Sequence, residues 1–124
     1  MKKEIQLKRL AATATIAAAT NLTIYLVGYL AGADYQVNAG VSMQVQWFMV
    51  ALATFSPLMI AGVVTKAISA KRSGFQTFAS WAGLTVATLS IASVFTAAQD
   101  TATIVALALM HVVGGSAWFI ATKK

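Results

Sequence analysis

The chain has no cysteine, one proline, one histidine and three acidic residues among its 124 positions. Without cysteine there can be no disulfide, thiolate metal site or cysteine nucleophile, and nothing follows about redox compartment. The acids are Glu4, Asp34 and Asp100. None lies inside a long apolar run, so the histidine–carboxylate pairing usual in proton-coupled transport has no partner to use. The same shortage argues against the small multidrug exporters, whose four short helices carry a membrane-embedded glutamate. His111 is the only histidine, so haem held by two histidines would need two chains. No nucleotide-binding, metal or catalytic motif stands out. The reading is therefore not an enzyme, with no catalytic residue, no metal ligand and no cofactor.

Charge is scarce as well. Charged residues make up 10% of the chain, against about a quarter in a soluble domain. Hydrophobic residues make up 59%, and the mean hydropathy is +0.76. So apolar a chain has too little polar surface to cover a globule in water. The length allows one unit and no second domain. The formal charge of +6 would point to nucleic acid in a soluble protein. Here the basic residues cluster at the edges of apolar runs, which marks membrane orientation, with no nucleic-acid partner.

Four runs meet the roughly 20 apolar residues that a spanning helix needs: about 10–31, 45–68, 75–97 and 101–121. The links are 32–44, 69–74 and 98–100. The last two are tight, and the first, with Gly, Asn and Asp, reads as an irregular loop. The predicted fold is all-α: one domain over 1–124, an antiparallel bundle of four transmembrane helices. All nine basic residues fall on one side of it: Lys2, Lys3, Lys8 and Arg9; Lys66, Lys71 and Arg72; Lys123 and Lys124. Asp34 and Asp100 fall on the other. The positive-inside rule places both termini in the cytoplasm of a multi-pass protein of the cell membrane. That basic face should attract anionic lipid, at about 1 kcal/mol per residue near the surface. A competing reading makes the first run a cleaved signal, with its basic start and Ala31-Gly32-Ala33 site. Signal cores are about 7–15 residues. This run is longer and is interrupted by Asn21, so a retained helix is expected.

Lipid tails are as apolar as leucine, so close packing and interhelical hydrogen bonds must hold the helices together. Small residues mark candidate contact faces: Ala14, Ala18, Asn21, Tyr25, Gly28 and Gly32 in the first run; Ala79, Gly83, Ala87, Ser90 and Ala97 in the third; Ala108, His111, Gly115 and Trp118, with Gly114 adjoining, in the fourth. Either these faces pack within the bundle, or one of them, Gly28 and Gly32 foremost, meets a second copy or a partner membrane protein. Tyr29, Tyr35 and Trp47 near one boundary and Trp118 near the other fit interfacial anchoring. Lys66 is expected to snorkel from the inner end of the second run.

Polar residues share one depth: Asn21, Ser56 beside Pro57, Thr85 with Thr88, and His111. Unpaired in hydrocarbon, their donors and acceptors would cost several kcal/mol. Asn21 and His111 should therefore point inward and bond each other, a Ser or Thr, or backbone. Pro57 has no N–H and its ring displaces the carbonyl of Ala53, which becomes a free acceptor. The layer can be structural glue, worth about 0.6 kcal/mol per bond and up to about 2. It can instead be a working site, with His111 binding a ligand or relaying a proton.

The basic start, Ser56-Pro57, and above all the run from Thr101 through Leu109 and Met110 to His111 resemble a family of small four-helix bacterial membrane proteins of unknown function. The resemblance spans most of the chain. It implies a four-helix membrane domain and assigns no activity, substrate or cofactor. The expected role is a non-enzymatic accessory or oligomeric membrane component. The alternative is a small-solute transporter or channel using Asn21, Ser56, Thr85 and His111. An intramembrane enzyme or haem protein centred on His111 lacks a second ligand, a carboxylate and a nucleophile.

The charge partition predicts that cysteines introduced at Asp34 and Ser73 will differ in labelling by an impermeant thiol reagent on intact cells, Asp34→Cys reacting and Ser73→Cys not. Equal labelling would reject the orientation.

Overall fold

A computed structural model describes residues 4–124. Lys2 and Lys3 of the basic start lie outside the described residues. In chain order the elements are α1 (Leu7–Leu30), β1 (Gln36–Asn38), β2 (Ser42–Gln44), α2 (Trp47–Ser69), α3 (Phe75–Ala97) and α4 (Thr101–Thr122). All four helices are long and apolar enough to cross a membrane. Large apolar side chains such as Leu30, Ile60, Leu89 and Phe95 are exposed on their outer faces. Such a surface suits lipid as the solvent.

Small residues do much of the packing. Gly28 of α1 lies against Tyr35 and Ala106 of α4, and Gly62 of α2 against Leu10 of α1. Gly83 of α3 lies under the Trp118 indole, and Gly115 of α4 against Ala87 of α3. These contacts join α2 to α1, α1 to α4 and α4 to α3. The spatial order is therefore α2–α1–α4–α3. Although only 70–74 separate α2 from α3, those two helices touch each other sparsely. So short a link favours side-by-side packing of the two helices it joins, and at this pair they diverge instead.

The Gly28–Gly32 pair splits into two unrelated jobs. Gly28 is buried inside the bundle. Gly32 has φ +97 and open space around it. Its N–H donates to Tyr29 O at 3.1 Å and that of Ala33 to Gly28 O at 2.9 Å. This is a glycine C-cap, which satisfies the last carbonyls of α1 and turns the chain. Gly32 is thus a cap rather than a packing residue. Gly28, Gly83 and Gly115 do pack.

One end of the molecule gathers the basic residues. The Arg9 guanidinium donates to Ile120 O at 3.3 Å and Lys66 Nζ to Ile5 O at 2.7 Å. Buried Gln76 Nε2 donates to Thr122 O at 2.7 Å, and Ser80 Oγ to Thr122 Oγ1 at 2.9 Å. Lys66 therefore ties α2 to the start of the chain instead of only reaching for headgroups.

The other end is acidic. Asp100 caps α4, accepting from Thr103 N at 3.0 Å and from Thr103 Oγ1 at 2.8 Å. These bonds from the Thr103 hydroxyl and amide hold the Asp100 carboxyl below its ordinary range, where it stays a charged cap. Thr103 Oγ1 accepts from Tyr35 N at 3.0 Å. The expected irregular loop instead holds a short antiparallel hairpin, β1 on β2, turning at Gly40 with φ +88. Half-buried Val37 bridges it to Ala98, which pins the hairpin to the α3–α4 link.

Two aromatic residues expected at the interface are core residues. Tyr35 is 1% exposed, stacks on Tyr25 at 4.3 Å and donates to Tyr25 O at 2.7 Å. Burial, and then the Tyr25 phenol, pushes its hydroxyl up to about 12, which keeps it a donor. Its φ of 56 is unusual for a bulky residue and is held by these contacts. Trp118 is buried and its Nε1 donates to Ala79 O at 2.9 Å. In each case a polar handle found a buried partner, which made burial affordable. Tyr29 and Trp47 are exposed, as anchors would be.

A Cβ at Gly28 would overlap the Tyr35 hydroxyl. Gly28→Leu is therefore expected to lower thermal stability in detergent by about 1–3 kcal/mol or more through overpacking. Gly32→Ala should cost less, acting only through its positive φ. A Gly28→Leu protein as stable as the parent would show that this contact does not form.

A lateral cleft as the candidate functional site

The divergence of α2 from α3 leaves a cleft of about 640 Å³. One wall is the small-residue stripe Ala53, Pro57 and Ala61 of α2; the facing wall is Gly83, Val86 and Ala87 of α3. Ala53, Pro57, Ala61 and Val86 are exposed, so the cleft opens sideways between the two helices. Its back is α4, with Met110, His111, Gly114 and Trp118, and α1 contributes one residue, Asn21. A Cβ added at Gly114 would meet nothing within 4 Å, which leaves that stretch of the back wall bare.

Asn21 is 3% exposed. Its Nδ2 donates to Thr54 Oγ1 at 2.9 Å and to Met110 O at 3.4 Å. Thr54 Oγ1 in turn donates to Val50 O at 2.7 Å. This chain of bonds fixes which way the amide faces. Turned over, Asn21 would set its oxygen against Met110 O, which only accepts, and against a hydroxyl whose proton is already committed. The consequence is that Asn21 Oδ1 is buried and has no hydrogen-bond partner among the described residues. One buried amide therefore ties α1 to both α2 and α4 and leaves its own oxygen sealed without a donor.

His111 is half-buried, and its Nδ1 lies 2.7 Å from Leu107 O. A carbonyl only accepts, so Nδ1 carries the proton of this bond. Pro57 offers no N–H, so the Ala53 carbonyl loses its usual helical donor. Both Ala53 and His111 line the cleft.

The structure divides the proposed polar layer. Asn21 and His111 share the cleft, each bonded elsewhere and not to the other. Ser56 is half-buried and does not line it. Thr85 is exposed and donates to Trp81 O of its own helix at 2.8 Å, as Thr88 does to Leu84 O. Sequence reasoning missed Thr54, the partner that orients Asn21. The available signal was its position beside the Ala53–Pro57–Ala61 stripe.

Four membrane-length helices around a mostly apolar lateral cleft define a small multi-pass membrane protein. A family model described as a family of unknown function, DUF6069, matches residues 2–124, and the chain belongs to that family. This agrees with the resemblance drawn from the sequence. No curated protein and no solved structure matches the chain.

The Asn21–Thr54 bond predicts coupling. Asn21→Leu and Thr54→Val should each destabilise mildly. A double-mutant cycle of unfolding in detergent should give an interaction of about 0.6 kcal/mol, at most about 1.7. Strict additivity would mean that the bond contributes nothing.

Proposed function

We propose that this chain is a non-enzymatic component of the cell membrane, with both termini cytoplasmic, that works by receiving an apolar molecule from the plane of the bilayer. One observation carries the reading. Three helix pairs are closed by glycine contacts, whereas the α2–α3 side is open and lined by small residues. A cleft that opens sideways exchanges with lipid more directly than with water. The gathering of Arg9 and Lys66 at one end, with Asp34 and Asp100 at the other, supports the cytoplasmic orientation of the basic end. An accessory or scaffold role fits the short extramembrane links.

A second reading, a solute path, is favoured by Asn21 and His111 lining one cleft. Ser56 and Thr85 lie off that path, so the polar lining it would need is thinner than the sequence implied. Solute flux into liposomes separates the two readings.

Trp118 lines the cleft and is otherwise buried, whereas Trp47 and Trp81 are exposed. With those two replaced by Phe, lipids brominated along the acyl chain should quench Trp118 fluorescence. Gly114→Leu, which adds a side chain in open space, should relieve the quenching without unfolding the protein. A Trp118 that brominated chains leave untouched would overturn the reading.

A further inference from the structure

A second cavity, of about 130 Å³, lies at the basic end, where α2 stops and α3 starts. Buried Ile5 and Gln76 line it, Lys66 is half-buried in its wall, and exposed Glu4, Ser73 and Lys124 stand around it. Lys66 belongs to the last turn of α2, the level at which hydrocarbon gives way to headgroups. Its Nζ donates one bond, to Ile5 O at 2.7 Å. An ammonium has three donors, and no carboxylate pairs with this one among the described residues. Asp34 and Asp100 lie at the opposite end with Thr103. That leaves Glu4, which lines the same cavity and forms no ion pair with Lys66. A half-buried charge without a counter-ion is costly. We infer that this cavity binds a phosphate group, that of an anionic lipid headgroup, through the remaining N–H groups of Lys66, through Lys124 and through the Ser73 hydroxyl. The inference rests on the reading of the chain as a membrane component and is independent of what the α2–α3 cleft receives.

The choice of ligand follows from the donors and from their depth. A phosphate spreads its charge over several oxygens, so it can accept from two ammonium groups and a hydroxyl together, and lysine meets it as a point charge. Lipid phosphates lie just outside the hydrocarbon, level with the end of a spanning helix. The cavity has room for the phosphate alone, while the acyl chains lie against exposed apolar side chains such as Val63 and Phe78 on the flanking helices. The three donors come from different segments: Lys66 from α2, Ser73 from the 70–74 link and Lys124 from beyond α4. A phosphate held by all three ties the end of α2 to the start of α3 and to the end of α4. It thereby bridges the one sequence-adjacent helix pair that touches sparsely.

The test uses the full chain in a neutral detergent, titrated with phosphatidylglycerol or with phosphatidylcholine of the same acyl chains. Bound lipid is counted by native mass spectrometry. Phosphatidylglycerol should half-saturate the protein at about tenfold lower concentration than phosphatidylcholine, the ratio expected for one hydrogen bond to a charged group. Lys66→Gln and Ser73→Asp should each abolish that preference. Ser73 is exposed, so its replacement still decides should Lys66→Gln, which also releases Ile5 O, fail to fold. Lys71→Gln removes a charge from the same end without lining the cavity, and should keep the preference. Equal losses in Lys71→Gln and Lys66→Gln would mean that the basic face attracts lipid as a whole, and would overturn the site. Equal retention of the two lipids by the parent protein overturns it as well. Inorganic phosphate separates the sources. Phosphatidylglycerol that millimolar phosphate leaves bound supports the headgroup, whereas its displacement overturns the lipid and assigns the cavity to free phosphate. None of these outcomes bears on the quenching of Trp118, which tests the cleft separately.

Discussion

Helices surrounded by hydrocarbon gain nothing by hiding apolar surface from more apolar surface, so they adhere only where backbones come close or polar groups pair. In this chain the close approaches are set by four glycines. Gly62 admits Leu10, Gly28 admits Tyr35 and Ala106, Gly83 admits the Trp118 ring, and Gly115 admits Ala87. Each closes one junction in the series α2–α1–α4–α3. No glycine serves α2 against α3 in this way, and that side stays open. The cleft is thus a consequence of where side chains are missing, fixed before any question of ligand arises.

Polar clamps at both ends keep that arrangement in register. At the basic end, Arg9, Lys66 and Gln76 each donate to a backbone carbonyl of another segment. At the acidic end, Thr103 gathers the Tyr35 amide and the Asp100 carboxylate. With the ends fixed, the helices between them need only modest packing, and the middle can hold a gap. Bonds to charged groups contribute roughly twice what neutral ones do, which suits them to the ends, where water reaches the charges.

The helices were legible in the sequence because length and apolar content are what a bilayer demands, and each boundary falls within about three residues of the run that predicted it. Asn21 and His111 were legible for the same reason, as polar residues out of place. What failed to read out was direction. A spacing of four allowed Gly28 and Gly32 to be one face, yet Gly32 lies past the last turn, where its φ of +97 makes it a cap. Tyr35 and Trp118 sat near expected boundaries, but depth along a helix says nothing about which side of it is buried. The hairpin rests on Val37 meeting Ala98, a contact between segments far apart in sequence. Thr85 and Thr88 looked like members of a polar layer, whereas a threonine in a helix can satisfy itself on the preceding turn and face lipid.

The polar atoms that remain at mid-depth are not a random residue of the packing. Thr54 directs its proton to Val50 O and so becomes an acceptor for Asn21. Asn21 spends both N–H bonds on neighbouring helices, and His111 spends its Nδ1 proton on Leu107 O. Pro57, having no N–H, withholds a donor from Ala53. Each of these choices uses up or removes a donor among the groups around the cleft. What faces the opening is a largely apolar wall of alanine, glycine and valine, while the Asn21 amide is turned into the bundle, where it ties α1 to α2 and α4.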